Sequence, residues 1–173
     1  TLIERDTRSV AVTYLANDYG TGLAESFRAE FEAQGGTITG FQQHDGSKAS
    51  YRSELSRLAR GGADTLVIFD YGDGSGLTIL RQSLENGFFR HFVGGDGMKS
   101  EAMIRAIGAA NLDTLLVSSP VGSGSESLEI FQRDFRAKGG NPDGIFATTS
   151  YDAAFLLALA IEHAGGDRAK LAA

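Results

Sequence analysis

Four aspartates stand where an apolar run gives way to a glycine-rich turn: Asp18, Asp70, Asp73 and Asp96. Tyr19 and Tyr71 sit beside them. Asp18 and Asp70 fit the ordinary preference of aspartate for turns and helix N-termini. Asp96 asks for more. It follows a short apolar segment and lies among Gly94, Gly95 and Gly97, residues that let a backbone crowd a ligand. A carboxylate so placed can pair with a substrate ammonium. The two tyrosines add flat apolar bodies with polar tips. Together these groups suit a small zwitterion with an apolar side chain. They do not read as a proton-transfer machine, because no two of them look like an acid and a base whose environments hold their pKa values apart.

Other chemistries fail on spacing. A dinucleotide fingerprint needs a third glycine for close helix packing. The positions that would carry it hold Glu25, Leu77, Ser100 and Ser127. No Gly-Lys pair exists, so a Walker loop is excluded. A nucleophile elbow at Ser75 would need glycines at 73 and 77, where Asp73 and Leu77 stand. His44, His91 and His163 lack the mutual spacing of metal ligands, and His163 reads as a cation near a helix C-terminus. Cysteine is absent, which removes thiol catalysis and cysteine-metal sites. No catalytic residue, metal or cofactor is expected.

The elements that must position the aspartates and tyrosines alternate strand and helix. Val10, Val12 and Tyr14 alternate with Ala11 and Thr13 in a first strand. A helix capped at Thr21 or a neighbour follows, striped by Leu23, Phe27 and Phe31 and stopped at Gly35-Gly36. Residues 37–42 form a second strand, and a helix opened by Ser50 carries Tyr51, Leu55 and Leu58 on one face. Residues 65–69 are a continuous apolar run, the mark of a strand buried on both faces. Leu77, Leu80 and Leu84 stripe the next helix. Strands at 89–93 and 114–117 frame a helix over 100–107, and Leu128, Phe131 and Phe135 stripe a helix ending at Gly139-Gly140. The last helix, 148–164, is apolar nearly all round and is expected to be buried. Residues 1–8 read as the end of a helix begun upstream, and Asp167 as the opening of another. Alternating strands and helices predict an α/β fold, a three-layer α/β/α sandwich around a mainly parallel sheet. Ligands bind such sheets at the C-terminal ends of the strands, where all four aspartates fall.

Bulk properties agree with a globular domain. The chain has 173 residues, 42% of them hydrophobic and 22% charged, a size and composition that fit one domain. The net charge is −6 and the basic residues are scattered, which argues against nucleic-acid binding. No segment approaches the roughly 20 apolar residues that span a bilayer. The first residue is Thr1 rather than methionine, so a processed or cut form is expected.

Several motifs carry a family resemblance. Val10-Ala11-Val12-Thr13-Tyr14 followed by Asn17-Asp18-Tyr19-Gly20-Thr21-Gly22 resembles the strand and turn that open the second lobe of periplasmic solute-binding proteins. The branch is the one that serves ABC importers of the leucine/isoleucine/valine type. Gly35-Gly36-Thr37 is similar as well, as is Gly62-Ala63-Asp64-Thr65-Leu66-Val67 with Leu80-Arg81-Gln82 after it. Phe92-Val93-Gly94-Gly95-Asp96-Gly97 and the closing Tyr151-Asp152-Ala153-Ala154 with Leu157-Ala158-Leu159-Ala160-Ile161 complete the pattern. The resemblance implies a periplasmic binding protein type I lobe of flavodoxin-like strand order that binds an amino acid or similar small ligand by closing against a second lobe. It implies delivery to an ABC transporter membrane permease, outside the cytoplasm and without catalysis. Tyr19 would contact ligand, Asp96 would hold its ammonium, and Tyr71, Gly72 and Asp73 would line the cleft. Phe146, before the final helix, would join them. Relatives often carry glutamate where Asp96 stands, and the turn at 71–74 is unusually acidic and glycine-rich here, so the ligand need not be the family's usual one. By the same resemblance, residues 1–173 make one lobe, with the first lobe and the C-terminal return through the hinge outside it. A sensor domain on the same scaffold, or an α/β enzyme, is the alternative.

Overall fold

The computed structural model describes residues 2–120, 124–144 and 146–167. Its backbone gathers into two compact units, Thr1–Ser119 and Pro120–Ala173.

The first unit is built on five parallel strands, β1 (Ser9–Leu15), β2 (Thr37–His44), β3 (Thr65–Phe69), β4 (His91–Gly94) and β5 (Leu115–Val117). They lie in the order β2-β1-β3-β4-β5. Four helices belong to this unit, α1 (Asp18–Ala33), α2 (Arg52–Ala59), α3 (Ser75–Asn86) and α4 (Glu101–Ile107). Alternation along β1 sorts the core into two layers. Val10, Val12 and Tyr14 face one way and pack with Val67, Phe69, Ala24 and Phe31, so this side is covered by α1. Ala11 faces the other way with Leu66, Ile68 and Phe92, under Tyr51, Leu55, Leu58, Ile79 and Leu80 from the α2 and α3 side. All five residues of β3 are buried, as its unbroken apolar run predicts. Each aliphatic side chain sealed in these layers contributes about 1.5–3 kcal/mol. The expected three-layer α/β/α sandwich is present in this unit.

The start of α1 differs from expectation. Asn17, not Thr21, is its N-cap, and the Asn17 side chain accepts from Gly20 N–H at 2.7 Å. Gly20 is required at this bend, since a Cβ there would lie 2.3 Å from the Leu15 carbonyl oxygen. The helix therefore leaves β1 at once, and Tyr19 falls in its first turn. Near the N-terminus, Ile3–Arg5 form a 3-10 turn.

The second unit holds α5 (Glu126–Ala137) and α6 (Ala147–His163). Phe131 joins them, stacking on Phe135 at 5.2 Å and meeting Tyr151 at 4.9 Å between ring centroids. The expected burial of α6 is not found: none of its residues is buried. An apolar circumference signals that a helix needs cover but does not say which surface supplies it. The helix expected to open at Asp167 falls, past that residue, outside the described residues.

Candidate functional site

The strand order places a topological switch between β1 and β3, whose following helices lie on opposite faces of the sheet. The crevice beyond the carboxyl ends of two such strands is where open α/β sheets take ligands. Tyr19 follows β1 and Tyr71 follows β3. Their rings stack with centroids 5.0 Å apart and planes 22° from parallel. The Tyr19 hydroxyl donates to Asp96 Oδ1 at 2.7 Å and accepts from Gly97 N–H at 2.9 Å. One phenol thus bridges the end of β1 to the turn after β4. Burial raises the Tyr19 pKa above its ordinary value, and the Asp96 carboxylate raises it further. The phenol stays protonated and keeps its role as donor.

Glycines make this closeness possible. A Cβ on Gly95 would stand 2.9 Å from the Tyr19 hydroxyl. One on Gly97 would stand 2.7 Å from the Asp70 carbonyl oxygen and 3.0 Å from the Tyr71 ring. Gly72 N–H donates to the Gly97 carbonyl at 2.9 Å, which ties the turn after β3 to the turn after β4. Gly72 itself is buried against Met98, Ser100 and Met103, where a Cβ would find 2.7–3.0 Å contacts. Its part is to let two turns meet.

Tyr19, Tyr71, Gly72 and Asp96 are therefore brought together. Asp73 is exposed in the same turn as Gly72. Phe146 belongs to the second unit, where it caps α6 with a left-handed backbone (φ 64°) and an exposed ring. Tyr71 is 37% exposed and Asp96 half-buried, so a ring and a carboxylate of the cluster remain partly open to solvent. Asp96 Oδ1 is taken by the Tyr19 hydroxyl.

Sequence reasoning missed a second polar group beneath this cluster. His44 ends β2, and its Nε2 lies 2.8 Å from Asp70 Oδ2. Its Nδ1 lies 2.8 Å from Thr13 Oγ1 in β1. Ser75 Oγ donates to Asp70 Oδ2 at 2.6 Å, and Tyr71 N–H donates to Asp70 Oδ1 at 2.6 Å. Asp70 and His44 are 0% and 3% exposed. Thr13, His44 and Asp70 fall near the ends of strands that the order β2-β1-β3 sets side by side, an order that their local spacing does not reveal. Among the described residues no group of three or more His, Asp or Glu side chains is arranged to hold a metal ion, and no helix is long and apolar enough to cross a membrane.

A parallel sheet in this order, with helices on both faces, is an architecture that the lobes of type I periplasmic binding proteins share. The chain belongs to the periplasmic binding protein family, whose model matches residues 2–173. It is 25% identical over 158 residues to the leucine-, isoleucine-, valine-, threonine- and alanine-binding protein of Pseudomonas aeruginosa, covering 91% of this chain and 42% of that one. The crystal structure of a leucine-binding protein from Thermotoga maritima matches with a TM-score of 0.82 at 25% identity, over 98% of this chain and 49% of that one. A solute-binding protein from R. palustris, solved with 4-hydroxybenzoate, shares the fold with a TM-score of 0.80 at 19% identity, over 98% and 48% of the two chains. The chain thus spans less than half the length of these relatives.

Proposed function

We propose that this chain is one lobe of an extracytoplasmic solute-binding protein that captures a small amino acid, apolar in its side chain, and presents it to the membrane permease of an ABC importer. The observation that carries this reading is the joined cluster of Tyr19, Tyr71 and Asp96 at the switch point of the sheet. Asp96 Oδ2 accepts from the ligand ammonium, while the exposed Tyr71 ring packs against its apolar part. Gly72 and Asp73 shape the wall of the turn. The relatives' amino-acid specificities support the ligand class. Their greater length supports a partner lobe outside this chain, so that capture occurs by cleft closure between two lobes. No bond is made or broken in this cycle.

Titration calorimetry of the intact protein with L-leucine, L-isoleucine, L-valine, L-threonine and L-alanine tests this. Binding of at least one of them is expected, and Asp96→Ala should weaken it by about 2–5 kcal/mol, because an ammonium is left buried and unpaired. Unchanged affinity in that variant would remove Asp96 from the site. The 173 residues alone should bind weakly, and submicromolar affinity for any of the five would defeat the half-site reading.

A further inference from the structure

The buried group formed by Thr13, His44, Asp70 and Ser75 takes no part in the ligand contacts proposed above, yet it lies directly under them. Asp70 is the last residue before the turn that carries Tyr71. Its carboxylate takes three donors: His44 Nε2–H, Ser75 Oγ–H and Tyr71 N–H. The last two are the two ends of that turn, since Ser75 is the first residue of α3. One carboxylate therefore clamps both ends of the segment 71–75. Full desolvation would make an ionised carboxylate costly, and three donors at 2.6–2.8 Å offset that cost.

His44 is what completes the set. An ionised carboxylate can only accept, so Nε2 carries the proton. The Thr13 hydroxyl then serves Nδ1 as donor when that nitrogen is bare and as acceptor when it is protonated. The ring is held from β1 and donates to Asp70, the residue that follows β3, edge-on to Tyr51 with centroids 5.5 Å apart. On the far side, the Asp70 carbonyl oxygen packs where a Gly97 side chain would be. Tyr71, anchored by Asp70, stacks on Tyr19, and Tyr19 holds Asp96 and Gly97. The chain of contacts from Thr13 to Asp96 is continuous.

We propose that His44 is a positioning residue of the ligand site: by completing the buried acceptor set of Asp70 it fixes the turn 71–75, and through it the Tyr71–Tyr19–Asp96 cluster. The inference rests on the reading of that cluster as the binding site, but its structural half stands without a ligand. Removing His44 leaves Asp70 buried with one donor fewer, and the carboxylate recovers solvent by pulling away from the turn that it clamps. The sheet itself is held by its two apolar layers and does not depend on His44.

Amide exchange followed by NMR on the intact, unliganded protein separates these effects. In His44→Leu, the amides of Gly72 and Gly97 should exchange at least tenfold faster, while those of Ala24 to Phe31 in α1 stay within twofold. In His44→Gln, whose amide nitrogen can still donate to Asp70, protection at Gly72 and Gly97 should return to within threefold of the parent. Equal protection at Gly72 and Gly97 in parent and His44→Leu would overturn the proposal, as would faster exchange spread evenly into α1. If His44→Leu does not fold, Ser75→Ala against His44→Gln decides the matter. Loosening of Gly72 and Gly74 only in Ser75→Ala supports the clamp, and identical profiles in the two variants sink it. With L-leucine as the probe, calorimetry should show His44→Leu at least tenfold weaker than His44→Gln. Absence of binding of all five amino acids in the parent would count against the ligand assignment, while the exchange data would still decide the role of His44.

Discussion

The helices α1 and α6 use apolar residues in opposite ways. In α1 they form one stripe, and Ala24 and Phe31 are sealed against β1 and β3 while the far side is charged. In α6 they run round the whole circumference, and Phe155, Leu156, Leu157, Leu159 and Ile161 are all exposed. A stripe specifies a direction, because only one side of the helix gains from leaving water. A helix apolar all round specifies only that several surfaces are needed. The first unit answers its own stripes with its own sheet. In the second unit Phe131 of α5 meets Tyr151 of α6. The candidate cluster of Tyr19, Tyr71 and Asp96 lies wholly within the first unit.

The comparison breaks most readily in the sheet. Ile68 is fully buried in β3, packed in the layer beneath α2 and α3. Ile68→Ala should cost about 2–5 kcal/mol, the transfer loss plus the cavity left behind. Urea unfolding followed by amide exchange in β1 and β3 reads this directly. A loss below about 1 kcal/mol would mean that the core of the first unit is looser than its burial indicates.

A smaller effect is expected where the two turns meet. Gly97→Ala puts a methyl 2.7 Å from the Asp70 carbonyl oxygen and 2.9 Å from the Tyr19 hydroxyl. The first neighbour is backbone and cannot swing aside, so about 1–3 kcal/mol of stability should be lost to overpacking. Gly22→Ala is its control, since a Cβ there meets nothing within 4 Å, and alanine in a helix interior should gain about 0.5–1 kcal/mol. Thermal melts of the two variants should move in opposite directions. Melts that move together would show that Tyr19 and the turn at Gly97 are free to separate.

These sites differ in how far the sequence revealed them. The α1 and β3 patterns announced their burial, because periodicity and an unbroken apolar run follow from the geometry of helix and strand. Asp96 and Tyr19 were legible as residues of one rim, since in a parallel sheet every strand ends there. Their hydrogen bond was not legible, because it depends on Asn17 starting α1 early enough to swing Tyr19 over β4. Asp70 read as an ordinary turn aspartate, and its true setting came only with the neighbours His44 and Thr13. Those neighbours are 26 and 31 residues apart in pairing distance, His44 to Asp70 and Thr13 to His44. Polar pairing across strands is set by strand order and register, and neither is written in local spacing. The exposure of α6 was hidden for a related reason. Composition gives the need for cover and is silent on what provides it.

The smallest effect should come from α6, where it tests the comparison from the other side. Leu156 is 68% exposed, the most exposed of the large apolar side chains among the described residues. Leu156→Ser removes little buried surface and leaves only the difference in helix propensity between the two residues, so stability should change by no more than about 0.5 kcal/mol. The measurement is the same urea titration used for Ile68→Ala, repeated across a range of protein concentrations. A flat response at every concentration keeps the contrast between the two units. A loss that approaches the Ile68 value and grows with concentration would show that Leu156 is buried against another molecule in solution. The exposed side of α6 would then be an interface, and the second unit would be completed by association rather than by its own core.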